Sequence, residues 1–197
     1  MTQAEFIREI QKERQKLDDL FRRKLPVIVG RMAKDHYQDN FRKGGFVNNG
    51  LQKWEPAKRI TSGRKDAGAK YKTLMSSKNH LFSGIQYTPG DSRVVISDPI
   101  PYAAAHQFGE AITVPITAKM RRFAWAKHYE AGGGSDSGTE GEENTNTEAS
   151  FWKGLALTKK TSLSIKLPAR PFIGQSAELT KKIEDKIDIE VRKIITL

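Results

Sequence analysis

Histidine is the side chain in this sequence best suited to acid–base catalysis, because it gains and loses a proton near neutral pH. The chain has four, His36, His80, His106 and His128. They lack the spacing of metal ligands, and no neighbouring motif gives His106 a nucleophile or an orienting partner. We therefore interpret His106 as a structural residue, packed under Phe108 and hydrogen-bonded to the backbone. A hydrolase that uses His106 is the distant alternative.

Other patterns of catalytic or cofactor-binding residues are missing from the sequence. It contains no Walker-type phosphate loop, no HExxH pair, no GxSxG elbow and no GxGxxG turn. It also contains no cysteine, which excludes disulfides and thiolate metal ligands. The acidic residues between 130 and 150 lie in a low-complexity stretch that cannot hold a catalytic geometry. We predict a protein that is not an enzyme, with no catalytic residue, no cofactor and no metal site.

The charge of the chain is strongly positive and unevenly distributed. The formal net charge is +11, although residues 130–150 contain six acidic residues and no Lys or Arg. Such a basic surface attracts polyanions or acidic protein surfaces. A basic nucleic-acid-binding protein is therefore the alternative function, with aromatic residues beside one basic cluster as stacking candidates. No apolar run is long enough to span a bilayer, so we expect no membrane contact. The basic clusters are Arg22-Arg23-Lys24, Lys119 with Arg121-Arg122, Lys159-Lys160 and Lys181-Lys182, and the nearby aromatic residues are Phe123 and Trp125.

Apolar spacing and turn residues predict the elements that position these side chains. The expected helices are residues 2–24, 26–43, 74–84, 118–129, 151–157 and a last helix capped by Ser176, and the first two are either a pair or one long kinked helix. The expected strands are residues 85–87, 93–97, 111–116 and 162–167.

This order predicts an α+β fold: an antiparallel sheet packed by an N-terminal helix or kinked helix pair, a middle helix and a C-terminal helix. Residues 44–69 are expected to form a loop anchored by Trp54. Residues 131–150 have almost no apolar side chains and are expected to form a flexible acidic insertion. We predict a single domain over residues 1–197 that contains this insertion.

The sequence contains two short motifs. The first is residues 101–109 (PYAAAHQFG), and the second, later in the chain, is residues 168–174 (PARPFIG). They resemble the phage virion morphogenesis family, the small tail-completion proteins of Mu-like tailed phages. Phe41, the Gly44-Gly45 pair and Trp54 fit the same family pattern, whereas Asn79 stands where the family has Gly. The residues that carry the resemblance are Tyr102, Ala103, His106, Gln107, Phe108 and Gly109 in the first segment and Pro168, Arg170, Pro171, Phe172 and Gly174 in the second.

The prolines and glycine of the second segment impose a fixed backbone path before the last helix. Arg170 between two prolines is therefore held rigidly, and we expect it to pair with a carboxylate or with backbone carbonyls. Both segments are either a packing corner that holds the sheet to the last helix or a direct interface. We favour the packing corner.

The resemblance implies a phage or prophage structural or assembly protein. It would act in tail completion or head–tail joining by protein–protein binding and oligomerisation, as a ring. The implied partners are other phage tail or neck proteins, with weak non-specific nucleic-acid binding at most. The implied location is the bacterial host cytoplasm during assembly, and retention in the virion stays open.

Overall fold

The computed structural model describes residues 2–61, 67–132 and 147–195. The chain divides into two compact units: unit 1 is Met1–Glu110 with Pro168–Leu197, and unit 2 is Ala111–Leu167. The predicted α+β class is confirmed, and the strands lie in three antiparallel two-stranded sheets. The prediction of a single domain over residues 1–197 stays a prediction.

The N-terminal part of unit 1 is helical from Gln3 to Lys43, as the one-helix alternative expects. Helix α1 (Gln3–Asp19) passes through a π-helical turn (Leu20–Lys24) into α2 (Leu25–Lys43). Thr2 and Glu5 form a capping box at the start of α1, in which each backbone N–H donates to the other side chain. Gly44 ends α2 in the left-handed conformation with φ 72°.

The proline at the start of α2 frees a backbone carbonyl for another use. Pro26 has no N–H, so it cannot donate to the carbonyl of Arg22 four residues earlier. That carbonyl accepts a hydrogen bond of 3.3 Å from the N–H of Ser92, in a hairpin turn. The Arg22 guanidinium also lies 3.8 Å from the Asp91 carboxylate in the same turn. The π-helical turn is therefore a docking point for this hairpin.

The hairpin consists of strands β3 (Gln86–Gly90) and β4 (Arg93–Ser97), paired antiparallel from Gln86↔Ser97 to Gly90↔Arg93. The predicted five-residue turn is thus only two residues long, and the strand continues through Pro89, which a two-stranded sheet tolerates. The hairpin packs closely on α2 at Gly30. A Cβ atom there would lie 2.4 Å from a ring carbon of Tyr87, so the approach requires glycine.

The segment predicted to be a loop, residues 44–69, contains more structure than expected. Strands β1 (Gly45–Val47) and β2 (Leu51–Lys53) form a second antiparallel hairpin, and α3 (Lys58–Thr61) and a 3₁₀ helix (Ala67–Lys70) follow. Three-residue strands are too short for alternation to be visible in the sequence. The Asn49-Gly50 pair, with φ values of 51° and 103°, is nevertheless a typical hairpin turn.

The predicted helix at residues 74–84 is mostly wrong. Only α4 (His80–Gly84) is helical, because Leu74 and Asn79 adopt positive φ angles of 61° and 48°. Asn79 accordingly takes up the left-handed conformation at the position where the family pattern has glycine. Helix α5 (Ala103–Phe108), which the sequence analysis did not predict, follows β4.

The hydrophobic core of unit 1 forms around Phe41, which is completely buried. Its ring lies 5.2 Å from that of Phe172 and 5.5 Å from that of Trp54, measured between ring centroids. The last helix, α8 (Ala177–Ile195), adds Leu179 to this core and begins at the predicted N-cap, because Ser176 Oγ accepts from the Leu179 N–H at 3.2 Å. The second motif therefore enters the centre of unit 1.

Unit 2 combines a strand pair with two helices. Strand β5 (Glu110–Pro115) pairs with β6 (Ser162–Leu167), and α6 (Ala118–Glu130) is capped by Thr117. Helix α7 (Thr147–Leu157) begins four residues earlier than expected. Residues 147–150 of the predicted flexible insertion are therefore helical, and residues 133–146 lie outside the described residues.

Candidate functional site

The two motifs that are distant in sequence meet in unit 1. The backbone N–H of Arg170 donates a hydrogen bond of 2.8 Å to the carbonyl of His106 in α5. Residues 170–174, the motif segment, run from there to the start of α8 without forming a strand. Because Pro171 has no N–H, this segment cannot complete a regular strand ladder, so its polar backbone groups need other partners.

Gln107 supplies several of those partners with a single side chain. Its Oε1 accepts hydrogen bonds from the backbone N–H groups of Phe172 and Ile173, at 2.9 and 3.2 Å. Its Nε2 donates to the Ile173 carbonyl at 2.6 Å. A primary amide is one of the few side chains with both donors and acceptors. Gln107 therefore acts as a substitute for a neighbouring strand.

Side chains from α2 and the following loop bind three further carbonyls of the motif segment. Asn40, which is completely buried, donates to the Phe172 carbonyl at 3.3 Å. Trp54 Nε1 donates to the Pro171 carbonyl at 2.8 Å, and the Tyr37 hydroxyl donates to the Gly174 carbonyl at 2.7 Å. These bonds satisfy polar groups that would otherwise destabilise the core.

The sequence analysis missed the roles of two of these residues, Tyr37 and Asn40. Both lie on the buried side of α2, together with Ala33 and Phe41. The signal was present, because an asparagine in line with buried apolar residues needs hydrogen-bond partners inside the protein.

Arg170 is the buried charge of the site, with only 6% of its surface exposed. Its Nε donates to the Glu55 carbonyl at 2.9 Å, and a terminal nitrogen lies 3.5 Å from the Pro56 carbonyl. Of the two kinds of partner that the sequence suggests, the structure shows backbone carbonyls. Desolvation by burial lowers the pKa of Arg170.

His106 lies beside Arg170, and its ring differs from the prediction. Its Nδ1 is buried and has no hydrogen-bond partner among the described residues, so the expected ring-to-backbone bond is not made by this atom. The ring instead contacts the edge of Tyr102 at a centroid distance of 6.0 Å. Desolvation, and then the positive charge of Arg170, lower the pKa of His106, which favours the neutral ring at physiological pH.

The prediction that Phe108 is buried above His106 is wrong. It is 77% exposed at the end of α5, the most exposed of the large hydrophobic residues described. The cause is that α5 turns small residues, Ala103 and Ala105, towards the core. A large apolar residue in a motif suggested burial, but the helix presents this ring to the surface.

A groove of about 340 Å³ lies next to the Phe108 ring. Phe172 and Ile173 of the motif segment line it on one side and Ile96 of β4 on another, so its walls are largely apolar. Asp98 also lines the groove, and desolvation raises the pKa of its carboxyl group. The buried parts of both motifs thus support a surface, which we call the motif groove.

The motif groove and the Phe108 ring beside it together form an exposed, largely apolar surface. Among residues 2–61, 67–132 and 147–195, no group of three or more His, Asp or Glu side chains is placed to hold a metal ion. Within the same ranges, no helix is long and apolar enough to cross a membrane.

Comparisons with known proteins give one match. The sequence model described as the phage virion morphogenesis family matches residues 8–192. No curated protein and no solved structure matches the chain at a significant level. The matched range includes both motifs, the motif groove and all of unit 2. The chain therefore belongs to the phage virion morphogenesis family, whose members have structural or assembly roles in phages.

Proposed function

We propose that this protein acts in phage tail completion or head–tail joining, and that it does so by binding other proteins and by forming a ring. The observation that carries this proposal is the exposure of Phe108. A single exposed apolar side chain is ordinary, but Phe108, which is 77% exposed, adjoins the apolar motif groove, and a continuous exposed apolar surface marks an interaction site. The phage assembly role of the family supplies the context in which such a surface is used.

A head-to-tail ring explains why the site has a projecting part and a concave part. In a cyclic oligomer each subunit uses two different patches, one for each neighbour. The projecting ring of Phe108 and the apolar walls of the motif groove, Ile96 and Ile173, are suited to contacts with a neighbouring subunit or with a tail or neck protein. The buried network around Gln107 keeps both parts in a fixed position.

Binding rather than catalysis is also the better use of His106. Its ring is half-buried with a lowered pKa, and its carbonyl holds the motif segment through Arg170. A general base would need a positioned nucleophile or substrate group, whereas the His106 ring contacts the Tyr102 ring and is influenced by the positive charge of Arg170. We therefore propose that the protein is not an enzyme and works in the host cytoplasm during assembly or in the virion.

Some residues of the basic clusters already have partners, which weakens the nucleic-acid alternative at those positions. Arg22 Nε lies 3.0 Å from an Asp18 oxygen, and Lys24 Nζ lies 3.1 Å from an Asp19 oxygen. Arg121 donates to three backbone carbonyls. Charges that are already paired contribute less to phosphate binding, which supports weak, non-specific nucleic-acid binding at most.

The oligomeric state tests the proposal directly. We expect native mass spectrometry to show closed rings at high protein concentration, or electron microscopy to show them on assembled tail tubes. The Phe108→Ser variant should remain folded, with an unchanged circular dichroism spectrum, and should lose these rings. A protein that stays monomeric both alone and with tail tubes would contradict the ring mechanism.

A further inference from the structure

The two helices of unit 2 pack against each other in an unusual way. Among the residues of α6 and α7 whose burial the structure describes, the fully buried ones are small residues and one histidine: Ala124, His128, Ala149 and Ala156 are each less than 8% exposed. An ordinary helix pair buries its large apolar residues and exposes its small and polar ones. Here four large residues stay mostly exposed, Phe123 (51%), Tyr129 (60%), Phe151 (63%) and Leu157 (59%), whereas Trp125, Trp152 and Leu155 are partly buried.

Three of the aromatic rings form a cluster across the two helices. The Trp152 ring lies 5.8 Å from that of Phe123 in α6 and 5.2 Å from that of Phe151 in α7, measured between centroids. We call these three residues the aromatic cluster. Its outer members are more than half exposed, so it is a preformed apolar surface without a cover in the described chain.

Basic residues lie close to the aromatic cluster. Lys119, Phe123 and Lys127 follow at intervals of four residues and therefore lie along one side of α6. The Lys127 ammonium group lies 5.9 Å from the centre of the Phe123 ring. Glu130 and Glu148 are the acidic residues in the described part of unit 2. The exposed basic residues for which the described chain shows no acidic partner are Lys119, Arg122, Lys153, Lys159, Lys160 and Lys166.

We propose that unit 2 is a docking element for an acidic protein surface, with the aromatic cluster as its anchor and the surrounding lysines as its charged rim. The inference rests on the proposed assembly function and adds the chemistry of a partner. Buried aromatic anchors within a polar rim are the usual energetic centre of a protein interface. Complementary charge then selects the partner and speeds its encounter.

The observations favour a protein over a nucleic acid. Phe151 and Leu157 offer apolar surface and no hydrogen bond, whereas contacts to nucleic acids go mostly to phosphates and sugars. The Trp125 and Tyr129 rings are stacked on each other at 5.9 Å and 23°, which leaves less ring surface for a base. A second copy of this chain has net charge +11, so outside its acidic residues 130–150 it does not complement this surface.

A binding titration on the full-length protein tests the proposal with defined probes. The probe is a fluorescein-labelled random copolymer of glutamate and tyrosine, and fluorescence anisotropy is followed at physiological salt. We expect it to bind more tightly than short duplex DNA. The Phe151→Ser variant and the Lys159→Glu/Lys160→Glu double variant should each weaken binding about tenfold or more.

The matched control is Lys181→Glu/Lys182→Glu in α8, which makes the same charge change at adjacent lysines of unit 1. It should weaken copolymer binding less than about twofold. Circular dichroism melting checks that each variant is folded, and Leu157→Ser replaces Phe151→Ser as the apolar variant if the latter unfolds.

Four outcomes would overturn the inference: no copolymer binding, tighter binding of DNA, equal losses for the two lysine pairs, or no effect of a folded apolar variant. The titration needs no phage particles, so its failure leaves the oligomer test of the proposed function untouched. A chain that binds the copolymer but forms no ring overturns only the ring mechanism.

Discussion

Gln107 and Phe108 are neighbours in one motif and have opposite environments. Three backbone groups of the motif segment depend on the Gln107 amide, while the Phe108 ring points away from the core. A short motif such as HQF therefore combines a residue that stabilises the fold with a residue that is exposed at the surface.

This contrast leads to a prediction about stability. Gln107→Ala removes the partners of two N–H groups and one carbonyl in a partly buried segment. We expect the free energy of unfolding to fall by about 3 kcal/mol, since each unsatisfied buried group costs roughly 1–3 kcal/mol and some regain water. Urea denaturation followed by circular dichroism measures it.

Phe108→Ala is the matched control, because it truncates the adjacent side chain. As that residue is 77% exposed, its free energy of unfolding should change by less than about 0.5 kcal/mol. Equal losses for the two variants would contradict the assigned roles and would place Phe108 in the core, as the sequence suggested.

At the residue level, sequence reasoning found the motif but not the environment of its members. Residue type and spacing identified Gln107 and Arg170 as part of one pattern, whereas the burial of Asn40 and the exposure of Phe108 depend on tertiary packing. Neither backbone propensity nor a local pattern encodes which side of a six-residue helix such as α5 meets the core.

At the level of elements, helix α2 and the β3–β4 hairpin pack closely in unit 1. Gly30 lets the two approach, because a Cβ atom there would lie 2.4 and 2.8 Å from atoms of Tyr87 and Val94. Gly30→Ala gains helix propensity but forces these side chains to move. We expect a net destabilisation of about 1–3 kcal/mol, measured by thermal melting.

A second helical glycine supplies the control. Gly154 lies in α7, and a Cβ atom there would have no neighbour within 4 Å. Gly154→Ala should therefore stabilise the protein by about 0.5–1 kcal/mol, the ordinary difference in helix propensity. If Gly30→Ala also stabilises the protein, the close approach of helix and hairpin is not a constraint.

The success of element prediction depended on the length of each element. Strand β6 alternates over six residues and was predicted with its observed bounds, Ser162–Leu167. Strands β1 and β2 span three residues each, and α5 follows a β-rich segment without a cap signal, so all three were missed. The helix from 74 to 84 was overpredicted because two positive φ angles are not visible in apolar spacing.

At the level of the whole molecule, the composition of the segment between α6 and α7 predicts that the stability of the fold does not depend on it. Residues 133–146 (GGSDSGTEGEENTN) contain no apolar side chain and therefore contribute no hydrophobic burial. We expect that a Gly/Ser linker of equal length leaves the melting temperature nearly unchanged, within about 2 °C. Differential scanning calorimetry measures this change.

The control for this experiment is a Gly/Ser replacement of residues 168–174. Replacing that segment removes Phe172 from the core and the carbonyls that Asn40 and Trp54 bind, so the fold should be lost. A large loss of stability on replacing residues 133–146 would contradict this expectation. It would indicate that their carboxylates pair with basic residues elsewhere in the chain.

Unit 1 is made of two chain segments that are separated in sequence by unit 2, and this order affects how the protein folds during synthesis. The hydroxyl of Tyr37 and the carbonyl of Gly174 form a hydrogen bond across 137 residues, and the core closes only with residues from Pro168 onward. A ribosome must therefore deliver the whole of unit 2 before the N-terminal helix and its two hairpins can bury Phe41. Until then the nascent chain exposes this apolar surface, so we expect chaperones to bind it and folding to be completed only after translation ends.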